Sequence, residues 1–338
     1  RQIDPLLDGC NAQLQDISAT PPVYTGLTSA CFDGASLEEG HVLTNGPSFD
    51  SHNFSLSLNK QFSEGIFTES GSVFVSFGYA FSDSRQTLDF RDSTASSNFE
   101  HTARFDQQNV AVSQAGDEVR HNFVMTLNFR EEFIQDYNTN IGIFFRATEG
   151  NPFSLTYEPD GDGFSADSSN ENNVLSSLPT GVRDPNLSPL SDPDAVNLFL
   201  DAINGVNDAA TGVLQDLNCK FTPGQTIERN SCRNEWYYDM DVRVSQELPF
   251  LGSLTGVKQD RVELYVDFAN FLNLLDSDWN ARRAYPGDFD NNVVSLVEAG
   301  VDDQGRYIIS DFDDGAGEPD TFEQATAWRI QFGVRYEF

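Results

Sequence analysis

The residues of this 338-residue chain best suited to covalent chemistry are four cysteines, Cys10, Cys31, Cys219 and Cys232. They fall into two local pairs within polar, loop-like sequence, and an even count in that setting points to disulfides formed in an oxidising compartment. Three connectivities are open, of which Cys10 with Cys31 and Cys219 with Cys232 is the most economical. Neither pair has the CxxC spacing or neighbouring His of a structural zinc site. A second group, Asp288, Asp290 and Asn292, has the one-three-five spacing of a calcium loop, where oxygen ligands suit a hard cation. The Gly and distal Glu of such a loop are missing, so this is a weak calcium signal. Asp160 with Asp162, and Asp311 with Asp313, carry still less of the pattern. A solvated acidic surface accounts for the same carboxylates more economically.

No catalytic constellation stands out. His41, His52, His101 and His121 are dispersed and form no HExxH pattern, and no GxSxG, phosphate-binding loop or GxGxxG introduces a helix after a strand. Carboxylates are too abundant for any pair to be singled out as acid and base, so the expectation is a protein that is not an enzyme and carries no cofactor beyond calcium. With 53 acidic against 20 basic residues and a net charge of -33, nucleic-acid phosphates are an unfavourable partner.

The elements that must carry these groups are most legible at the C-terminus. In WRIQFGVRYEF, Trp328, Ile330, Phe332, Val334, Tyr336 and Phe338 share one face of a period-two pattern. Arg329, Gln331, Gly333, Arg335 and Glu337 share the other. An amphipathic strand of about ten residues with aromatics at both ends of its apolar face fits a tilted crossing of a bilayer, lipid on one side and a watery lumen on the other. No apolar run approaches the roughly eighteen residues of a membrane helix. Hydrophobic content is only 38%, yet there are 28 Phe. That balance suits alternating strands joined by very polar loops.

Six more strands repeat the pattern, near 53–62, 72–82, 120–130, 140–148, 236–248 and 261–269, with the last near 326–338. Extended sequence continues from the fourth towards Tyr157. Residues 1–50 read as a loop holding the first cysteine pair. Connections alternate between short and long, the long ones being 83–118, 158–234 and 274–323. Within 158–234 a helix is expected at about 193–205, capped by Ser191 or Asp192, with Pro193 in its first turn and Val196, Phe199, Leu200 and Ile203 on one face. The loops 158–234 and 274–323 hold 25 acidic and 7 basic residues. Short turns at one end and long loops at the other are the asymmetry of an outer-membrane barrel. If the last strand runs towards the periplasm, seven strands put residues 1–50 and both cysteine pairs outside the cell.

RHNFVMTLNF at 120–129, EGNPFSLTY at 149–157, VELYVDFANFLNLLDSDW at 262–279 and the terminal WRIQFGVRYEF together resemble the C-terminal part of TonB-dependent outer-membrane receptors, in particular the Oar-like branch. The resemblance covers about residues 50–338. It implies an all-β, antiparallel transmembrane barrel of 22 strands in a Gram-negative outer membrane, with an N-terminal plug and import of a scarce nutrient energised by TonB. Seven strands are about the last third of such a barrel, and plug and TonB box have no counterpart here. The implied partners are outer-membrane lipid, the remaining strands and plug of the same receptor, the TonB complex and an unknown nutrient ligand held by the extracellular loops. Phe338, with Tyr336 and Phe332 before it, resembles the signal read by the barrel-assembly machinery. The opening RQIDPLLDGC, without Met or signal peptide, is expected of a mature product or of a part of a larger receptor.

Two other readings predict different surfaces. A passive porin or surface adhesin would use the same strands without plug or TonB. A secreted, calcium-stabilised, glycan-binding β-sandwich would have to bury Asp239, Asp241, Glu263 and Asp267, or expose Phe-rich faces to water.

Overall fold

The computed structural model describes residues 13–16, 23–25, 46–47, 49–88, 98, 102–105, 110–159, 174–204, 219, 221–248, 261–285, 293–313 and 320–337. A short antiparallel hairpin, β1 (Gln13–Asp16) with β2 (Val23–Thr25), comes first. It lies where the sequence pattern indicates only a loop, because elements of three and four residues are too short to show a period.

Seven long strands follow: β3 (Asp50–Phe62), β4 (Ser72–Gln86), β6 (His121–Ile134), β7 (Tyr137–Thr148), β10 (Tyr237–Leu248), β11 (Arg261–Ala269) and β16 (Arg329–Glu337), the two-residue β5 (Ser113–Gln114) being a satellite of β4. Each pairs antiparallel with the next, in chain order from β3 to β16. These are the seven strands expected from the alternation. The fold is all-β and mostly antiparallel. Among the described residues β3 and β16 are its two edges, unpaired with each other, and with seven alternating strands they run in the same direction.

Register turns the one-strand patterns into a continuous surface. Phe62, Val73, Phe129, Ile141, Val244, Val266 and Phe332 lie in one row across all seven strands, and Leu58, Phe77, Met125, Phe145 and Met240 in another. The opposite face carries rows such as Gln61, Phe74, Asn128, Gly142, Arg243, Asp267 and Gln331. The apolar face is not a core. Phe332 is 76% exposed, and Phe54, Leu58, Leu264, Tyr238 and Val334 are exposed too.

At one end of the sheet the connections are short: 63–71 between β3 and β4, and the two residues 135–136 between β6 and β7, where Asp136 takes a left-handed φ of 66°. At the other end they are long, and there the expectation of loops is corrected. Beyond β7 the chain forms β8 (Pro152–Pro159), then α1 (Pro193–Asn204), β9 (Cys232–Arg233), β13 (Val293–Val301) and β14 (Tyr307–Phe312). These strands make a second sheet in the order β14-β13-β8-β9.

β8 takes up the extended sequence expected towards Tyr157, with both faces buried from Pro152 to Tyr157, whereas β13 escapes a period-two search because adjacent Leu296 and Val297 are both apolar and buried. In β8, Phe153, Leu155 and Tyr157 are buried beside equally buried Ser154 and Thr156. In β13, Val294, Leu296, Val297 and Ala299 are buried. The two pair in parallel, a geometry that needs a long crossover, here supplied by more than a hundred residues. Helix α1 begins as the cap predicts: the Asp192 carboxylate accepts a hydrogen bond from Asp194 N at 2.9 Å, and Ala195, Val196, Phe199 and Ala202 turn inwards. Around them lies the main hydrophobic core, with Leu178, Leu187, Ile227, Tyr285 and Ile309. Apart from Phe153, Leu155 and Tyr157 of β8, this core among the described residues sits in what the sequence shows as acidic loop.

Smaller elements close the long-connection end. They are α2 (Phe271–Leu275), β12 (Arg283–Ala284) paired with β15 (Asp320–Thr321), and α3 (Glu323–Thr326) leading into β16. No described helix is long and apolar enough to cross a membrane.

Candidate functional site

The cap of β8, β9, β13, β14 and α1 is fastened to the rim of the large sheet by one short segment, 229–234, with the sequence Arg-Asn-Ser-Cys-Arg-Asn. Arg229 spreads its guanidinium over the rim: Nε donates to Ser113 Oγ at 2.6 Å, Nη2 to Gln86 O at 2.6 Å, and Nη1 to Thr87 O. Asn230 takes a left-handed φ of 56°, which Asn tolerates. It donates from its backbone to Ser154 Oγ at 2.9 Å and from Nδ2 to Gln114 O at 2.8 Å.

The second Arg-Asn pair repeats the device one step further on. Arg233 donates to the buried Glu118 carboxylate and stands 3.7 Å from Glu149. Glu118 also receives Ser84 N, Gln114 Nε2 and, at 3.4 Å, the Arg120 guanidinium. Neutral donors fill the remaining lone pairs of Glu118, which makes its buried charge tolerable, whereas Glu149 Oε2 and Arg233 Nη1 face each other with no hydrogen-bond partner among the described residues. Asn234 donates from Nδ2 to Asn151 O at 3.1 Å and to Tyr285 O at 2.9 Å, and accepts from Tyr285 N. Its backbone passes so close to Gly150 that a Cβ there would stand 2.5 Å from Asn234 O. Between the two pairs Cys232, buried in the core, is disulfide-bonded to Cys219.

Inside the cap, Tyr157 donates to Ser177 O at 2.9 Å and accepts from Ser177 N at 3.1 Å; burial raises its phenol and that of Tyr307 above the ordinary range. Burial pushes Asp184 up as well, but hydrogen bonds from Thr180 N, Asn186 N and Thr180 Oγ1 outweigh it and hold the carboxyl low. Asp302 shows the same balance more strongly. Burial raises it, while Arg306 N, the Arg306 guanidinium, Ser188 and Gln304 N lower it, to about 2. These carboxylates are fixed ends of turns, with their lone pairs already taken.

The polar face of the large sheet forms the second half of the site. Arg243 pairs with Asp267 at 3.5 Å and lies 4.4 Å over the Tyr265 ring. Tyr265 in turn covers Gly333, where a Cβ would collide with the ring. Gly142 leaves a hollow of about 350 Å³, bordered by Arg130, Asn128, Asn140, Ser245 and Arg243. Asp239 and Asp241 are neighbours along the same face, and Asp241 accepts Asn270 N at 3.0 Å. The face is a charged, hydrogen-bonding wall, suited to water and polar groups.

The expected site residues are distributed unevenly over this frame. Cys219 and Cys232 are joined. Phe332 and Tyr336 stand on the apolar face of β16, opposite Val266 and Val262. Cys10, Cys31, the candidate calcium residues Asp288, Asp290 and Asn292, and Phe338 lie outside the described residues, as do Asp160 and Asp162. Asp311 pairs across the small sheet with Glu298, and among the described residues no three His, Cys, Asp or Glu side chains are grouped to hold a metal. Missed in the sequence were Arg229, Asn230, Arg233 and Asn234. Their signal was present, a repeated Arg-Asn dipeptide around Cys232 in an otherwise acidic loop.

Compared with models of known protein families, with curated proteins and with solved structures, the chain shows no match.

Proposed function

We propose that the chain is part of the wall and the external cap of a TonB-dependent outer-membrane receptor that imports a scarce nutrient, a role in transport rather than chemistry. The observation that carries this reading is the seven-stranded meander with mostly apolar rows and exposed large side chains on one face and polar rows on the other. In water such a face would be a large sticky patch; in a bilayer it is the required surface. The wet lumen accepts Asp239, Asp241, Glu263 and Asp267 without the cost of burying them in an apolar core. Long connections gathered at one end, folded into a cap with its own core and disulfide, suit the oxidising exterior and a ligand-capturing mouth. The residues of the cap that face the mouth would meet the nutrient, with the remaining strands and the plug supplied by further sequence of the same receptor.

The test uses the full-length protein expressed in a Gram-negative host. It is expected in the outer-membrane fraction, with electrophoretic mobility that changes on heating, and bound by the purified periplasmic domain of TonB. Outer-membrane location with ion conductance in planar bilayers and no TonB binding would favour the passive porin. Recovery as a water-soluble protein would overturn both.

A further inference from the structure

The short connection 63–71 does not simply close the β3–β4 hairpin; it reaches sideways to β6. Glu131, 2% exposed, belongs to the apolar-face row that continues through Thr139, Gln246, Leu264 and Val334. Its carboxylate is nonetheless saturated: Ile66 N and Phe67 N donate to Oε1, at 2.5 and 3.2 Å, and Thr68 N and Thr68 Oγ1 to Oε2, at 2.9 and 2.7 Å. Thr68 Oγ1 also accepts from Glu132 N at 3.1 Å. A Cβ on Gly65 would run into the carboxylate, so the turn can approach only because that residue is Gly.

The consequence is a turn clamped onto the apolar side of the sheet with its own apolar side chains turned out. Ile66 is 59% and Phe67 75% exposed, and the Phe67 ring lies 6.0 Å from that of Phe133, itself 56% exposed. On the same face of β3, Lys60 holds its ammonium 5.5 Å from the Phe62 ring, the one charge in the row of Val75, Leu127, Ile143, Val242, Phe268 and Ile330.

We propose that Ile66, Phe67 and Phe133 form a shelf that inserts at the headgroup–acyl boundary of the periplasmic leaflet, with phospholipid as its partner. Glu131 acts as the positioning residue. The inference rests on the membrane reading above. The shelf is continuous with the apolar face, and its apolar side chains lie beyond the last full row of that face, where the boundary falls. Lys60 supplies a cation that can reach a lipid phosphate while its stem stays among acyl chains. The clamp explains why a carboxylate is kept on this face: every lone-pair direction the turn can reach is used, so the charge fixes the turn instead of facing lipid.

The experiment places a nitroxide on Phe67→Cys, and separately on Phe332→Cys, in the intact protein in outer-membrane vesicles, with unsubstituted protein as background. Collisions with oxygen and with an aqueous nickel chelate give depth. Phe67→Cys is expected to be open to oxygen and shielded from nickel, at a shallower depth than Phe332→Cys. Adding Glu131→Gln should expose the Phe67→Cys label to nickel, because an amide NH₂ cannot accept from the turn N–H groups, while leaving Phe332→Cys unchanged. A nickel-exposed Phe67→Cys beside a shielded Phe332→Cys would overturn the shelf and leave the membrane reading standing. Exposure of both would overturn the two together, and a shielded Phe67→Cys that ignores Glu131→Gln would overturn the clamp.

Discussion

Arg233 and Glu118, 115 residues apart in sequence, form a buried ion pair across the seam between the cap and the rim of the large sheet. The pair is one of several contacts that fasten the cap to the sheet, beside those of Arg229, Asn230 and Asn234. Removing one partner leaves the other charge buried, so Glu118→Gln or Arg233→Ala should destabilise the cap by about 3 kcal/mol. Hydrogen exchange at β8 and β13 amides, compared between variant and parent, measures this. Unchanged protection would show that the seam holds without the pair.

The disulfide between Cys219 and Cys232 closes a loop of sequence separation 13 on the same segment. A loop of that size is worth about 3 kcal/mol. Cys232→Ser should therefore lower the urea midpoint of cap unfolding, read from the near-ultraviolet dichroism of Tyr157, Tyr285 and Tyr307. The heat resistance of the large sheet should be unaffected.

On the apolar face, Phe332→Arg should cost roughly 2 to 4 kcal/mol if residue 332 lies near the bilayer midplane. Arg335→Gln should fold normally, since Arg335 is exposed on the polar face and its ion pair among the described residues is with the exposed Glu337, at 2.7 Å. Refolding titrations in lipid vesicles compare the two, and equal losses would contradict the assignment of faces.

Asp302 gives a dependence on pH of definite sign. Its folded carboxyl, held at about 2, lies below the ordinary value of about 3.9. The group therefore stabilises the fold above pH of about 4, and that contribution is lost as pH falls from about 4 towards 2. The parent should be more stable than Asp302→Asn at neutral pH, and the difference should shrink over that acidic interval. A difference independent of pH would show that the turn 302–306 does not rely on the charge.

The large sheet was legible because its strands are apolar on one face only. Phe332 and Gln331, or Met240 and Asp241, alternate between an apolar and a polar face, and period two survives in the sequence. Helix α1 was legible for a similar local reason: Asp192 caps it, Pro193 opens it, and its inward residues recur at helical spacing. Local chemistry also pointed to Cys219 and Cys232, whose separation is short.

Only the tertiary structure decided the rest. β8 and β13 pair in parallel across more than a hundred residues, a partnership that the alternation within β8 could not reveal, and in β13 the adjacent buried pair Leu296 and Val297 interrupts any period of two. Arg229, Asn230, Arg233 and Asn234 became a latch only when the rim carbonyls of Gln86 and Thr87, and the carboxylate of Glu118, were brought to them. Glu131 lies one residue past the strand expected at 120–130, and its clamp on residues 66–68 depends on a sideways turn no periodicity records. What the sequence determined by itself was amphipathicity, a property of near neighbours in the chain. What it left open were contacts between distant segments, where a side chain's role is set by the partner that folding supplies.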